Sequence, residues 1–353
     1  MCNATTSRKH PKHALHFQLR LKLCARMTLM VLPPTQLFPR RTTKMNDFIM
    51  EKLIAFSSLT VLYPSYERAI NKIMHSVSVT STRREPSSAM LLGNAGTGKS
   101  TICRNLVNIL GVPVDVEDSH GVYRYTPALL CSIPASCTIK SLSVEILDQL
   151  GATDTYSRNA ILEHLIITKL KTCKTKVIIL DEFHHLLEKG AEKTRETLCN
   201  WVKSLMNNTL VPFVLVGTPN CEAIIDDHSQ LARRYPFRAR LNNLGYNSEF
   251  KIFLATLIGE MVKIGDFRAE PFLLDERTKK IFYVISGGNL NTLCLLLSEI
   301  LLVALLREEN TLTQEDCISA FDNLDITPFF SLQGNPFTAD SRTINNILSG
   351  HSP

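Results

Sequence analysis

Apolar residues along the middle of the chain fall into two alternating patterns. Short runs of strand length stand at SAMLLGN (88–94), YTPALLCSI (125–133), KVIILD (176–181) and VPFVLVGT (211–218), with a fifth, more polar run at FRARLNNL (237–244). Between them apolar residues recur at helical spacing. They do so in GKSTICRNLVNIL (98–110), which Gly111 and Pro113 stop, in KSLSVEILDQLG (140–151), from Arg158 to about Thr172, and over 192–207. Ahead of the first strand, residues 50–77 mix a loop with an amphipathic helix. Strands alternating with helices predict an α/β domain with a parallel sheet covered on both faces. After about residue 246 the strand pattern ceases. KIFLATLIGEMVKIG (251–265), ERTKKIFYVISGG (276–288), LNTLCLLLSEILLVALLRE (290–308) and TQEDCISAFDNL (313–324) all read as helices. The expected organisation is an α/β domain over 45–246, a helical lid over 247–325 and a tail over 326–353. Pro328, Gly334 and Pro336 in that tail predict mobility.

Bulk composition narrows the class. Hydrophobic content of 44% and charged content of 20% are ordinary for a globular protein. The nearest thing to a membrane span, LCLLLSEILLVALL (293–306), is interrupted by Ser298 and Glu299, so it reads as a core helix and no membrane is expected. Ten cysteines occur with no C-x-x-C pair, against a zinc module or disulfide framework and for a reducing, cytoplasmic setting.

Charge is unevenly placed. Residues 1–44 hold nine Lys/Arg and no acid, so of the net +6 the remainder of the chain carries about −3. Nucleic-acid contact by the main body must then use a local patch. The segment 1–44 has three competing readings: a targeting segment, a basic nucleic-acid arm, or a disordered extension ahead of Met45 as the start. Its proline-broken, aperiodic pattern favours the third.

GNAGTGKS (93–100) follows a strand and opens a helix, the context that a phosphate-binding loop requires. Gly93, Gly96 and Gly98, with Asn94, Ala95 and Thr97 between them, let backbone N–H groups turn inward around phosphate oxygens, aided by the helix N-terminus. Lys99 is expected to reach the β- and γ-phosphates, Ser100 to place its hydroxyl on Mg²⁺, and Thr101 to bond the α-phosphate. A second strand must then end in an acid that holds the magnesium. VIILDEFHHLL (177–187) supplies Asp181 for that role and Glu182 to polarise the attacking water. The rival reading is a metal site of Asp181, His184 and His185. Two consecutive residues on a helix point about 100° apart, so the histidines are not expected to converge on one ion. Thr218 or Asn220 in VGTPN could sense the γ-phosphate, or merely cap a helix. Arg233 or Arg234 in LARRYPFRAR (231–240) could enter a neighbouring subunit's nucleotide site, or form a solvated turn.

These residues resemble those of AAA+ ATPases over about 60–310, and more closely the TniB/TnsC group of transposition regulators. The resemblance rests on YPSYERAINKI (63–73), GNAGTGKST, VIILDEFHHLL and PFVLVGTPNCEAIIDDHSQLARRYPFRARL (212–241). It implies a five-stranded parallel sheet in the order 5-1-4-3-2 with a small C-terminal helical lid. It also implies ATP as cofactor with Mg²⁺, ATP-dependent rings or helical filaments on duplex DNA, and a bacterial cytoplasmic location. Its partners would be a TniQ-type target selector, sometimes CRISPR-guided, and a DDE transposase. ATP over GTP rests on the family alone, since no N/T-K-x-D guanine reader is present. One departure stands out: many lids carry an arginine just after the GGN turn, where SGGNLNTL (286–293) has Asn291, which implies slow hydrolysis or coupling that relies on Arg233 or Arg234. In the resembling family DNA contacts come from loops and helix starts after the second strand. That points to Lys140, Thr155, Ser157 and Arg158, suited to phosphate contacts without base reading. Two alternatives stay open: a helicase loader of the DnaC/IstB type, and a nucleotide-switched signalling protein without DNA.

Overall fold

The computed structural model describes residues 40–350, except 84, 119–120, 136, 153–157, 188–191 and 269. The chain divides into two compact units, Met1–Met50 and Glu51–Pro353. The basic segment lies outside the described residues as far as residue 39. Helix α1 (Arg40–Ser57) then begins inside the stretch expected to be disordered.

In the larger unit, five strands form the main sheet: β1 (Ala89–Gly93), β4 (Ala128–Ser132), β5 (Val177–Asp181), β6 (Phe213–Gly217) and β7 (Phe237–Leu241). Their order is β4-β5-β6-β1-β7, and every pairing is parallel. Counted among themselves in chain order, these strands run 5-1-4-3-2 from the β7 edge. A second, antiparallel sheet of β2 (Val114–Asp118) and β3 (Gly121–Tyr125), not expected from the sequence, is inserted before β4. The run YTPALLCSI is therefore split: Tyr125 ends the hairpin, and only Ala128–Ser132 joins the main sheet.

All residues of β1, β5 and β6 are buried, because helices cover both faces. Side chains alternate along each strand. Ala89, Leu91, Ile179 and Val214 enter one core, whereas Met90, Leu92, Ile178 and Leu215 enter the other. The first core is covered by α2 (Pro64–Arg83) and α3 (Lys99–Leu110) and continues into the lid. The second is covered by α4 (Ile139–Gln149), α5 (Asn159–Thr172) and α6 (Glu192–Thr209). Two short helices, α7 (Cys221–Asp226) and α8 (Ser229–Ala232), lead from β6 to β7.

The lid holds α9 (Ser248–Gly265), α10 (Glu276–Ser286), α11 (Leu290–Leu306) and α12 (Gln314–Asp322). The Ser298–Glu299 interruption does not stop α11, which buries Leu293, Leu296, Leu297, Ile300 and Leu301 as a core helix. Among the described residues no helix is long and apolar enough to cross a membrane.

The tail expected to be mobile instead packs on the lid as far as Gly350. Phe330, Phe337 and Ile344 are buried, and Phe329 and Phe330 donate backbone N–H bonds to the Ile285 and Val284 carbonyls at 2.9 and 3.2 Å. Arg277 donates to the carbonyls of Phe337 and Ala339, and α13 (Ser341–Ser349) closes the chain. Pro328, Gly334 and Pro336 redirect the chain, and the apolar residues between them supply the burial that holds it down.

Candidate nucleotide site

The glycine loop leaves the C-terminal end of interior strand β1, and Asp181 at the end of β5 and Thr218 just after β6 open on the same edge. That edge is where parallel α/β sheets place ligands. Gly96 and Gly98 adopt φ +76° and +88°, a region that residues with a Cβ disfavour, and Gly98 caps α3 in this left-handed form. Inside the loop, the buried Thr97 hydroxyl donates to the Asn94 carbonyl at 2.9 Å. Lys99 Nζ donates to the carbonyls of Gly93 (2.8 Å) and Asn94 (2.9 Å), so its ammonium lies across the loop. Burial lowers the Lys99 pKa, against the pull of Asp181 and Glu182.

Ser100 and Asp181 come from loci 81 residues apart and meet directly, with Ser100 Oγ donating to Asp181 Oδ2 at 3.1 Å. The other Asp181 oxygen accepts the backbone N–H of Glu182 at 2.8 Å. The buried Asp181 carboxylate and the hydroxyl of the exposed Ser100 are hard oxygen donors of the kind magnesium takes. Glu182 itself stands at φ +59°, uncommon for a residue with a side chain and frequent at functional sites. Its carboxylate lies 3.2 Å from His184 Nδ1.

A cavity of about 630 Å³ lies against Ser100, Glu182 and His184. Of the residues expected at the nucleotide, it is lined by Ala95, Gly96, Gly98, Lys99, Ser100 and Thr101. Glu182, Thr218 and Asn291 line it as well. Its other wall is apolar: Val61, Tyr63 and Tyr66 face Phe253, Leu257 and Leu290 of the lid. The Tyr63 hydroxyl is buried without a hydrogen-bond partner, and burial beside Glu249 pushes its pKa up to about 12. An orphaned donor among apolar walls suits a flat heteroaromatic ligand bearing nitrogen acceptors.

Other expectations are met less directly. Asn220 begins α7 but makes no side-chain cap, and Thr218 is the one that reaches the cavity. Arg233 is exposed at the end of α8 and Arg234 is half-buried, and neither lines the cavity of its own chain. Lys140 and Arg158 are exposed at the starts of α4 and α5; Thr155 and Ser157 lie outside the described residues.

Three features escaped the sequence reading. Arg104, one turn beyond Ser100, brings an unanticipated cation to the cavity. Its spacing from Ser100 on one helix face was a signal that could have found it. Burial pushes the Tyr66 phenol well up, opposed by that guanidinium. Asn289 joins lid to loop, its Nδ2 donating to the Ala95 carbonyl. The histidines also need correction. The segment after β5 is a 3₁₀ turn, Phe183–Leu187, and one ligand atom each from Glu182, His184 and His185 lies within 4.8 Å of the others. The two histidines thus approach each other and Glu182, contrary to expectation, while Asp181 bonds Ser100 instead.

The strand order, the glycine loop after interior strand β1, the acid at the end of β5 and the helical lid define a P-loop fold of the AAA+ class, built to bind a nucleotide. The description "Bacterial TniB protein" matches residues 56–242, over half of the chain, and the chain belongs to the TniB family. No curated protein matches it. Among solved structures, Aeropyrum pernix ORC2 in ADPNP-ADP complexes is similar at TM-score 0.53 and 14% identity, covering 86% of this chain and 71% of that one. Cdc6p from Pyrobaculum aerophilum is similar at TM-score 0.53 and 15% identity, covering 78% and 70%. Aeropyrum pernix ORC1 in complex with DNA gives TM-score 0.50 and 16% identity, covering 77% and 68%. At these identities the likeness is one of fold.

Proposed function

We propose that this TniB-family chain is an ATP-switched, DNA-binding regulator of transposition. ATP assembles copies on duplex DNA without sequence reading. The assembly links a TniQ-like target selector to a DDE transposase, and hydrolysis takes it apart. The observation that carries the reading is the Ser100–Asp181 contact at the end of the glycine loop, beside a cavity that Ser100, Glu182 and Thr218 line. The DNA and ADPNP-ADP complexes of the similar archaeal ORC proteins support a nucleotide-dependent DNA binder.

Bound ATP with Mg²⁺ would supply the transferable phosphoryl group and a divalent charge to neutralise it. The remaining roles fall to the chain. The loop N–H groups and Lys99 hold the phosphates, and Ser100 and Asp181 hold the metal. Glu182 orients a water and takes its proton, and Thr218 senses the distal phosphate. Arg233 or Arg234, exposed or half-exposed away from its own cavity, serves a neighbour's site. Asn291 gives the lid a neutral contact, in keeping with slow turnover. Arg104 adds a second cation to the cavity beside Lys99. Lys140 and Arg158, with Thr155 and Ser157, are the proposed DNA contacts.

The test compares wild type, Lys99→Ala and Glu182→Gln for binding to duplex and single-stranded DNA, with ATP and with a non-hydrolysable analogue. Lys99→Ala should abolish ATP-dependent assembly. Glu182→Gln should assemble normally and persist. Disassembly of Glu182→Gln at the wild-type rate would remove Glu182 as the base. Preference for single strands would favour a helicase loader. Binding to neither, with no salt-dependent affinity, would favour a signalling switch.

A further inference from the structure

Glu182 is tied to two groups that the proposed hydrolysis does not use. Its Oε2 lies 3.2 Å from His184 Nδ1, and the His184 and His185 rings are 4.8 Å apart at 52°. One ligand atom from each of the three residues lies within 4.8 Å of the other two. Ligands bound to one tetrahedral ion at about 2.0–2.1 Å stand roughly 3.3 Å apart, so side-chain rotation of about 1.5 Å closes the set. Glu182 and His184 are 40% and 33% exposed and both line the cavity, which leaves room for that rotation and a path for an ion.

His185 is oriented by its surroundings. Its Nδ1 is 2.6 Å from the Ile133 carbonyl, which can only accept. Nδ1 therefore carries a proton, and in the neutral ring Nε2 offers its lone pair. Metal-ligating histidines are commonly held this way through their other nitrogen. Two imidazoles and one carboxylate, open to water at a fourth position, make up one of the donor sets of three-ligand zinc sites. Imidazole favours zinc, nickel or copper, whereas Ser100 and Asp181 offer only hard oxygen.

We infer that Glu182, His184 and His185 form a site for a borderline divalent transition cation such as Zn²⁺, separate from the magnesium position. Its consequence rests on the proposed function: a Glu182 carboxylate engaged as ligand cannot orient water or accept its proton, so zinc holds the assembly in its nucleotide-bound form.

Binding is tested first on the full chain, stripped by chelator, without nucleotide, and titrated with ZnCl₂ in millimolar Mg²⁺ by calorimetry and equilibrium dialysis. Wild type should take up one more Zn²⁺ than the His184→Gln/His185→Gln double variant. Glu182→Gln should bind it at least about tenfold more weakly, the minimum loss that even an outer partner's removal causes. Equal stoichiometry and affinity in wild type and double variant overturns the site. If the double variant melts below wild type, Co²⁺ spectra of wild type decide. Tetrahedral or five-coordinate bands at one equivalent, without sulfur charge transfer, support the site. A purely octahedral spectrum, or sulfur charge transfer, overturns it. Zinc is then added to the ATPase assay at saturating ATP and Mg²⁺. Hydrolysis unchanged while the site is filled overturns the regulatory consequence. The binding arms use no nucleotide, so they stand or fall independently of the ATPase reading.

Discussion

Asn289 of the lid donates its Nδ2 to the carbonyl of Ala95 in the phosphate loop at 2.9 Å. The same side chain caps α11, its Oδ1 accepting from the N–H groups of Asn291 (3.1 Å) and Thr292 (3.2 Å). The neighbouring Asn291 N–H reaches the Gly96 carbonyl at 3.1 Å. Lid position and loop shape are thus joined before any ligand arrives.

That junction can be dissected with two substitutions. Asn289→Ala removes cap and tether together, costing about 1 kcal/mol for each. At roughly 2–4 °C per kcal/mol, its melting temperature should fall by several degrees. Asn289→Asp keeps the cap acceptors and loses the donor, so it should melt nearer wild type. Both should bind a fluorescent ATP analogue more weakly. Wild-type affinity in Asn289→Asp would show that the tether does not act on the site.

Gly288→Ala should be far more harmful than its size suggests. Gly288 has φ +73°, and a Cβ there would lie 1.8 Å from the Leu244 carbonyl oxygen, a backbone atom with no rotamer to yield. Gly334→Ala is the control, because φ is +80° but the space is open. Urea unfolding should give about 1 kcal/mol for the control and several times that for Gly288→Ala.

The tail contributes stability through Phe337, which is 2% exposed and packs edge-on against Phe282 at 5.6 Å. Phe337→Ala should cost about 3–5 kcal/mol. Phe329→Ala, at a residue 62% exposed, should cost under about 1 kcal/mol. Deleting residues 326–353 would uncover the lid, so loss of partner recruitment on deletion would not show that the tail binds a partner. Single substitutions at exposed positions such as Phe329 separate the two effects.

Acid should weaken the lid through Glu276. Lys251 and Lys279 hold its carboxylate at about 2, well below the ordinary value of 4.5. A depressed folded-state pKa contributes stability above the unfolded value, and this is lost as pH falls through the folded one. The melting difference between wild type and Glu276→Gln should therefore be present at pH 6 and shrink between pH 4.5 and 2. The group is exposed, so high salt should also reduce the difference.

The phosphate loop was legible because its chemistry is local: spacing, a preceding strand and a following helix suffice. Asp181 was legible because a buried apolar strand can end in an acid only where that acid has work or a partner. The β2–β3 hairpin was missed although VDVED and GVYRY alternate at period two. The strong apolar signal of Ala128–Ser132 absorbed Tyr125 into the following strand. The tail was misread because proline and glycine report a change of direction, whereas order there depends on what Phe330 and Phe337 find to cover.

By itself the sequence determined the chain order of the five main strands and the longer helices between them, the glycine loop and the acid pair. Each follows from residue type at fixed spacing along one backbone. Only the tertiary structure decided which distant groups meet: Ser100 with Asp181, Asn289 with Ala95, and the tail with α10. It also placed Arg104 in the cavity and drew His184 and His185 toward Glu182 on a 3₁₀ turn. Such meetings depend on sheet order, side-chain rotamers and the burial of opposing faces, which periodicity along the chain does not encode.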